Sequence, residues 1–213
     1  MARISFEQRT AWDKLYSKKG LQYGGIGELG LLWPHLDPNM LCLDVGCGDG
    51  KTSEVLSRAC EVTGCDFSRE ALLSLRSQRD TERLVNLVQC DLMSLPFEPE
   101  KFDAVVCVHV LSHLRARERE QGAEQVCRAL KRRGLLYLEV FGRGDLRYGD
   151  GMQIEPSSFV RGNGILTHYF AEDELLQLLG DMEHVSSMTS VKRVTYGAIS
   201  GKRELLRVLL RKL

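Results

Sequence analysis

The chain has 213 residues, 43% of them hydrophobic and 27% charged, which suits a single globular α/β domain with a well-buried core. Lys plus Arg number 29 and Asp plus Glu 29, so the formal net charge is zero, without the basic excess usual in a protein devoted to nucleic acid. Seven cysteines with no C-x-x-C pair argue against a disulfide framework or a zinc site, and "MARISFEQRT" lacks the apolar stretch of a secretory leader; no membrane span is expected and the expected setting is cytoplasmic.

In chain order, "ISFEQRTAWDKLYSKKG" is predicted helical up to Gly20, and "LQYGGIGELG" follows as a glycine-rich loop. "MLCLDV" (40–45) reads as a buried strand, and the next helix places Thr52, Val55, Leu56 and Ala59 on one face. "EVTGCD" (61–66) is a second strand, and "SREALLSLRSQ" a helix capped by Ser68 that buries Leu72 and Leu75. "LVNLVQC" (84–90) and "FDAVVCVHV" (102–110) are the third and fourth strands; the latter is almost wholly apolar, as in a parallel sheet covered on both faces. A helix over 115–132 turns Ala123, Val126, Cys127 and Leu130 inward, Gly134 ends it, and "LLYLEVF" (135–141) is the fifth strand. This alternation predicts an open, doubly wound α/β sheet in one domain.

Residues 142–169 carry six glycines and no clear period, so they read as a long functional loop. A short helix, "AEDELLQLLG", comes next. "HVSSMTSVKRV" and "KRELLRVLLRKL" are read as two strands closing the sheet as a hairpin, although Leu205, Val208 and Leu209 would also suit a helix.

The chemistry concentrates in "LCLDVGCGDGKTSEVL" (41–56). Gly46, Gly48 and Gly50 sit between a strand and a helix, where open α/β sheets bind ligands and where glycine lets a ligand approach the backbone. The spacing is G-x-G-x-G rather than the dinucleotide G-x-G-x-x-G. Asp44, just before the glycines, would repel a pyrophosphate and attract an ammonium group. Asp66, 22 residues on at the end of the second strand, is placed to accept from ribose hydroxyls. Asp91 follows the third strand in the same way and would accept from an adenine amino group. Three carboxylates at three strand ends, with the glycine turn, point to a nucleoside cofactor carrying a cationic amine.

"LCLDVGCGDGKTSEVL", "VTGCDFS", "VQCDLMSLPF", "FDAVVCVHVLSHL" and "LLYLEVF", in this order, resemble the class I S-adenosylmethionine-dependent methyltransferases over roughly residues 40–141. The resemblance implies a Rossmann-like, seven-stranded sheet with an antiparallel last strand. It implies S-adenosylmethionine as cofactor and S-adenosylhomocysteine as product. Asp44, Gly46, Cys47, Gly48 and Gly50 would hold the methionine portion. Asp66 would take the ribose, with Phe67 and Ser68 beside the adenosine; Asp91 and Leu92 would meet the adenine. Val108 and His109 would lie under the sulfonium. Trp12 and Tyr16, four apart on the first helix, are candidates for a lid over the cofactor. The expected division is an N-terminal lid (1–39), a cofactor-binding core (40–141), and a substrate loop with C-terminal hairpin (142–213).

Methyl transfer from a sulfonium is an in-line displacement, so alignment carries most of the catalysis and a base is optional. His109 and His113, just beyond the fourth strand, are the candidate catalytic residues; no third ligand accompanies them, so no metal is expected. In the segment after the fifth strand, Tyr148, Arg161, His168 and Tyr169 are candidates for substrate binding, Arg143 and Arg147 for an anionic group, and Glu155 for an amine. Neutral charge favours a small-molecule acceptor. The alternatives are a tRNA base, since the "H-x-F-x-x-x-E-L" pattern at 168–175 is similar to one in tRNA wobble-uridine methyltransferases, or a non-catalytic cofactor-binding protein.

Overall fold

The structure, a computed structural model, describes residues 5–18, 22, 28–78, 85–196 and 199–213. The predicted helix stop at Gly20, most of the glycine-rich loop at 21–30 and the start of the third strand at Leu84 lie outside the described residues.

Helix α1 (Phe6–Tyr16) opens the chain, with Ser5 as its cap accepting from Gln8 N at 3.3 Å. Strand β1 (Leu41–Val45), α2 (Lys51–Leu56), β2 (Glu61–Asp66), α3 (Arg69–Gln78), β3 (Val85–Gln89) and β4 (Phe102–Val108) then alternate. Helix α4 (Ala116–Ala129) leads straight into β5 (Leu130–Phe141). The helix therefore ends three residues earlier than its apolar spacing suggested: Leu130 is extended and pairs with Phe102, so the inward position it fills belongs to the strand.

Strands β1 to β5 are mutually parallel in the order β3–β2–β1–β4–β5. Their side chains alternate between two covered faces, as the apolar runs require. Leu43, Val45, Val105, Cys107, Leu136 and Leu138 pack with Ala123 and Val126 of α4. Cys42, Val62, Ala104, Val106 and Tyr137 pack on the other side with Val55 and Leu56 of α2 and with Leu32. Burying a side chain such as Val126 or Leu43 stabilises the fold by about 1.5–3 kcal/mol each.

The segment read as a loop over 142–169 is partly ordered into a small antiparallel sheet of β6 (Met152–Glu155), β7 (Ser158–Val160) and β8 (Leu166–His168). Strands of three or four residues are too short to print a period-two pattern, which is why the sequence hid them. After α5 (Glu172–Leu178), β9 (Met182–Tyr196) and β10 (Ile199–Lys212) complete the seven-stranded sheet, with β10 antiparallel to both β5 and β9. The final segment is thus a strand. Leu206, Val208 and Leu210 face one side of the sheet and Leu209 the other, so its near-continuous apolarity reflects burial on both faces.

Candidate active site

All three glycines after β1 have positive φ, at 63°, 55° and 87° for Gly46, Gly48 and Gly50, a region that disfavours side chains. The space above two of them is also taken. A β-carbon on Gly46 would collide with Val110, and one on Gly48 with the Tyr16 hydroxyl. The bare backbone is thus closely approached by the protein's own α1 and by the turn after β4. Asp66 ties this turn to the next strand, accepting from Gly48 N at 3.0 Å and from Ser68 N at 2.8 Å. Asp44 accepts from the Ser53 hydroxyl at 2.5 Å. Burial pushes Asp44 up to about 7 and Asp66 to about 6.

Helix α1 lies across these strand ends and touches each in turn. Arg9 pairs with Asp91 and sits over the Phe67 ring, 5.2 Å from its centroid. Asp13 accepts from the Ser68 hydroxyl at 2.5 Å. Trp12 packs edge-on against His113 at 4.8 Å and stacks with Tyr16 at 5.9 Å. Gln8 bonds Leu166 N and Gly164 O, fastening α1 to the strand that carries the far wall.

Between these elements lies a cavity of about 590 Å³, within the usual size of a small-ligand site. One end is lined by Asp44, Gly46, Cys47, Gly48 and Asp66, with Phe67, Leu92 and Val108 beyond and Trp12 and Tyr16 over it. Three of the expected cofactor residues do not line it. Gly50 caps α2, Ser68 is buried under α3 with its hydroxyl accepting from Ala71 N, and Asp91 turns to Arg9 and to Met93 N.

The other end holds both candidate histidines. His109 has φ 64°, so the strand predicted to run to 110 stops at Val108. Its Nε2 lies 3.1 Å from Glu139 Oε1 and its ring stacks on Phe141 at 4.3 Å. His113 Nδ1 donates to Leu166 O at 2.6 Å, and burial lowers its pKa to about 4, so the ring is neutral. Glu139 and Phe141 were missed by the sequence reading; the lone acid inside the apolar "LLYLEVF" was the signal for the first. Burial would raise Glu139, yet His109 and Arg207 together hold it below the ordinary carboxylate value. Arg147, Arg161, Thr167, Tyr169 and Arg203 complete this end.

Two expected substrate residues sit elsewhere. His168 is 1% exposed and locked between the Ser158 hydroxyl (2.8 Å) and Glu174 (2.7 Å). Tyr148 packs edge-on against Phe159 and Tyr169 without lining the cavity. Arg143 pairs with Glu174, and Glu155 accepts from Ala116 N at the start of α4. Short-range spacing could not show that these side chains are consumed by the packing of β7, β8, α4 and α5.

A family model described as a methyltransferase domain matches residues 43–138, from β1 into β5. A crystal structure of a SAM-dependent methyltransferase from Methanosarcina mazei superposes with a TM-score of 0.75 at 26% identity, over 88% of this chain and 99% of that one. The chain carries a class I S-adenosylmethionine-dependent methyltransferase domain. A second SAM-dependent methyltransferase structure, from Anabaena variabilis, matches this methyltransferase domain in fold, with a TM-score of 0.73 at 15% identity over 100% of this chain and 96% of that one. Among curated proteins, tRNA N(3)-methylcytidine methyltransferase Mettl2 of Drosophila melanogaster is 34% identical over 145 residues, 62% of this chain and 45% of that protein. The tRNA N(3)-cytidine methyltransferase METTL2 of Mus musculus is 32% identical over 146 residues, 62% and 38% respectively. The chain thus spans less than half the length of these two relatives. Among the described residues no helix is long and apolar enough to cross a membrane.

S-adenosylmethionine is the cofactor of this methyltransferase class, and the residues present fit it. Asp44 and Asp66 are buried at neighbouring strand ends, and neither is paired with a cation among the described residues. Two buried carboxylates without a counter-charge suit a ligand with positive groups.

Proposed function

We propose that the protein methylates a cytosine of tRNA at the ring nitrogen N3. The observation that carries this is the similarity to the two tRNA cytidine methyltransferases over 145 and 146 residues, well beyond the 96 positions of residues 43–138. It favours the tRNA reading over the small-molecule acceptor that neutral charge suggested.

The charge distribution supports it. Strand β10 pairs with β5 only from Leu205 onward, so residues 199–204 and their partners 191–196 project past the carboxyl ends of the parallel strands. Six residues of strand reach roughly 20 Å. On this arm Lys202 stands opposite Arg193, while Arg203 and Lys192, also opposite each other, are paired with Asp145 and Glu28. Like charges in direct register are unfavourable by themselves and favourable against a phosphate backbone. The zero total therefore leaves Lys202 and Arg193 as a basic pair on this arm.

When bound, S-adenosylmethionine supplies a methyl group on a sulfonium, already activated for displacement. Asp44 would face its ammonium group, Asp66 the ribose hydroxyls, and Phe67 and Leu92 the adenine. Trp12 and Tyr16 of α1 would exclude water, as the lid expected over residues 1–39. The acceptor nitrogen of a neutral cytosine carries its lone pair, so no proton leaves it before attack. His113, whose ring is neutral, and His109 would then shape the acceptor end. A paired cytosine hides N3, so the base must be unpaired or turned out of its stack.

The test is transfer of labelled methyl to total tRNA followed by nucleoside analysis. 3-methylcytidine is expected. Label reaching small molecules in an extract while tRNA stays unlabelled overturns the proposal.

A further inference from the structure

We infer that the Arg161 guanidinium holds the phosphate of the nucleotide whose base is methylated, at the acceptor end of the cavity. The inference rests on the tRNA reading and names the group by which that substrate's backbone would be gripped.

Several arginines follow β5, and packing sorts them. Arg143 is taken by Glu174, 3.1 Å away, and does not line the cavity. Arg203 lines it, but its Nε lies 2.7 Å from Asp145 Oδ2 and its guanidinium covers the Phe141 ring at 4.9 Å. The Asp145 carboxylate also accepts from Arg147 N at 3.0 Å and Glu204 N at 3.3 Å. Glu139 and Glu28, which line the cavity too, are already paired, the first with Arg207 and the second with Arg207 and Lys192. Arg161 lines the same cavity, is half-buried, and makes no ion pair among the described residues. A cation partly withdrawn from water without a carboxylate is costly, and an anionic ligand removes that cost.

The backbone fixes its place. Arg161 opens the turn from β7 to β8, where its carbonyl accepts from Gly164 N at 2.8 Å and its own N–H donates to Ile165 O at 3.3 Å. Gln8 of α1 donates to Gly164 O at 2.7 Å and accepts from Leu166 N at 3.1 Å, so the turn is held against α1. The Arg161 charge acts on two groups of the acceptor end. Burial, and with it that charge, lowers His113. Burial and Asp145 push Tyr169 up to about 12, against the pull of Arg161, Arg147 and Arg203, so its hydroxyl keeps its proton. A guanidinium beside a protonated phenol offers donors to an incoming group.

The anion follows from the substrate's chemistry. A cytosine base is neutral, and its exocyclic amine is a donor that a guanidinium does not attract. The phosphodiester on the same nucleoside carries a full negative charge and paired oxygens that the guanidinium fork fits. Phosphate contacts set position rather than sequence. Arg161 would therefore fix the register in which a turned-out base enters, and leave its selection to other groups.

The experiment is calorimetric titration of the full chain, saturated with S-adenosylhomocysteine, with cytidine, cytidine 5′-monophosphate and cytidine 3′-monophosphate. One monophosphate should bind about tenfold more tightly than cytidine, the size of a charge-assisted hydrogen bond, and the advantage should shrink as salt rises. Arg161→Gln should remove most of that advantage without weakening cytidine or S-adenosylhomocysteine, and Arg161→Lys should keep part of it. A damaged fold would weaken all of these together and lower the thermal midpoint, so the ratio reads the phosphate contact itself. Equal binding of nucleoside and nucleotides, no binding of any at millimolar concentration, or an advantage that survives Arg161→Gln overturns the inference. So does a loss of S-adenosylhomocysteine affinity with the advantage intact, which would assign Arg161 to the cofactor carboxylate. With total tRNA, Arg161→Gln should raise KM more than it lowers kcat. If tRNA is methylated and its KM is unmoved, Arg161 falls and the tRNA reading stands. If the nucleotide advantage depends on Arg161 while tRNA is not methylated, the phosphate contact stands, serving a small nucleotide, and the tRNA reading falls.

Discussion

Arg207 and Glu139 stand directly opposite each other on antiparallel β10 and β5, with Nε 2.5 Å from Oε2. Each is the one charge within an apolar run, LLRVLL (205–210) and LLYLEVF (135–141), and they are 4% and 6% exposed. The pair continues outward to Glu28, 2.8 Å from the Arg207 guanidinium, and inward to His109. A buried ion pair thus connects the outer strands of the sheet to the cavity.

Arg207→Leu should destabilise the protein by about 3–5 kcal/mol, because it leaves Glu139 charged and buried. The double variant Arg207→Leu/Glu139→Leu should recover most of that loss, since both charges then leave the core. Urea unfolding of the single and double variants gives the coupling energy. Additive effects would show that the two side chains do not depend on each other.

Asp44 and Asp66 make cofactor affinity depend on pH. Both are raised by burial, to about 7 and about 6, from an ordinary value of 3.8. In the ligand-free protein they bind protons more tightly folded than unfolded. Their contribution to stability is full below the unfolded value and is lost as pH rises through 6 and 7. A cationic ligand needs them ionised, so its binding takes the opposite direction. Affinity for S-adenosylhomocysteine, which keeps the ammonium group, should fall as pH drops from about 8 to about 6. Asp44→Asn should flatten most of that slope in calorimetry. A flat wild-type profile would remove Asp44 as the counter-charge.

Gly48→Ala should cost roughly 1–2 kcal/mol from the left-handed backbone alone, and cofactor affinity should drop with it. Adding Tyr16→Ala relieves the collision with the hydroxyl but not the backbone strain, so thermal stability should stay low. A Gly48→Ala variant as stable as wild type and binding normally would mean that this turn is not the floor of the site.

Asp66→Ala should weaken S-adenosylhomocysteine binding by about 1.5–3 kcal/mol, the usual loss when a charged acceptor is removed. It should also speed amide exchange at Gly48, whose N–H would lose its partner. Unchanged affinity with faster exchange would confine Asp66 to shaping the turn.

Much of this was legible in the chain. The strand–glycine–helix run at 41–56 and the acids that follow β2 and β3 are local patterns, because backbone conformation at a turn and the end of an apolar strand are decided within a few residues. They marked the parallel core, and the strand ends where the cavity lies, before any contact was known. His109 and His113 were legible as neighbours of that end by the same argument.

Long-range pairing was not legible. Asp91 and Asp44 look alike as strand-end acids, yet Asp91 meets Arg9 of α1, 82 positions away, whereas Asp44 accepts from the Ser53 hydroxyl. His168 looked like a ligand-binding residue and is held between Ser158 and Glu174, whereas Thr167 beside it lines the cavity. Adjacent residues on a strand point to opposite faces, and which face meets the cavity is set by the docking of β8 under α1. The sequence by itself determined the doubly wound sheet, the glycine turn and the acids at its tips, because these follow from local periodicity and backbone sterics. Only the tertiary structure decided which polar groups are used up by one another and which remain open to a substrate, because that depends on register and packing between segments far apart in the chain.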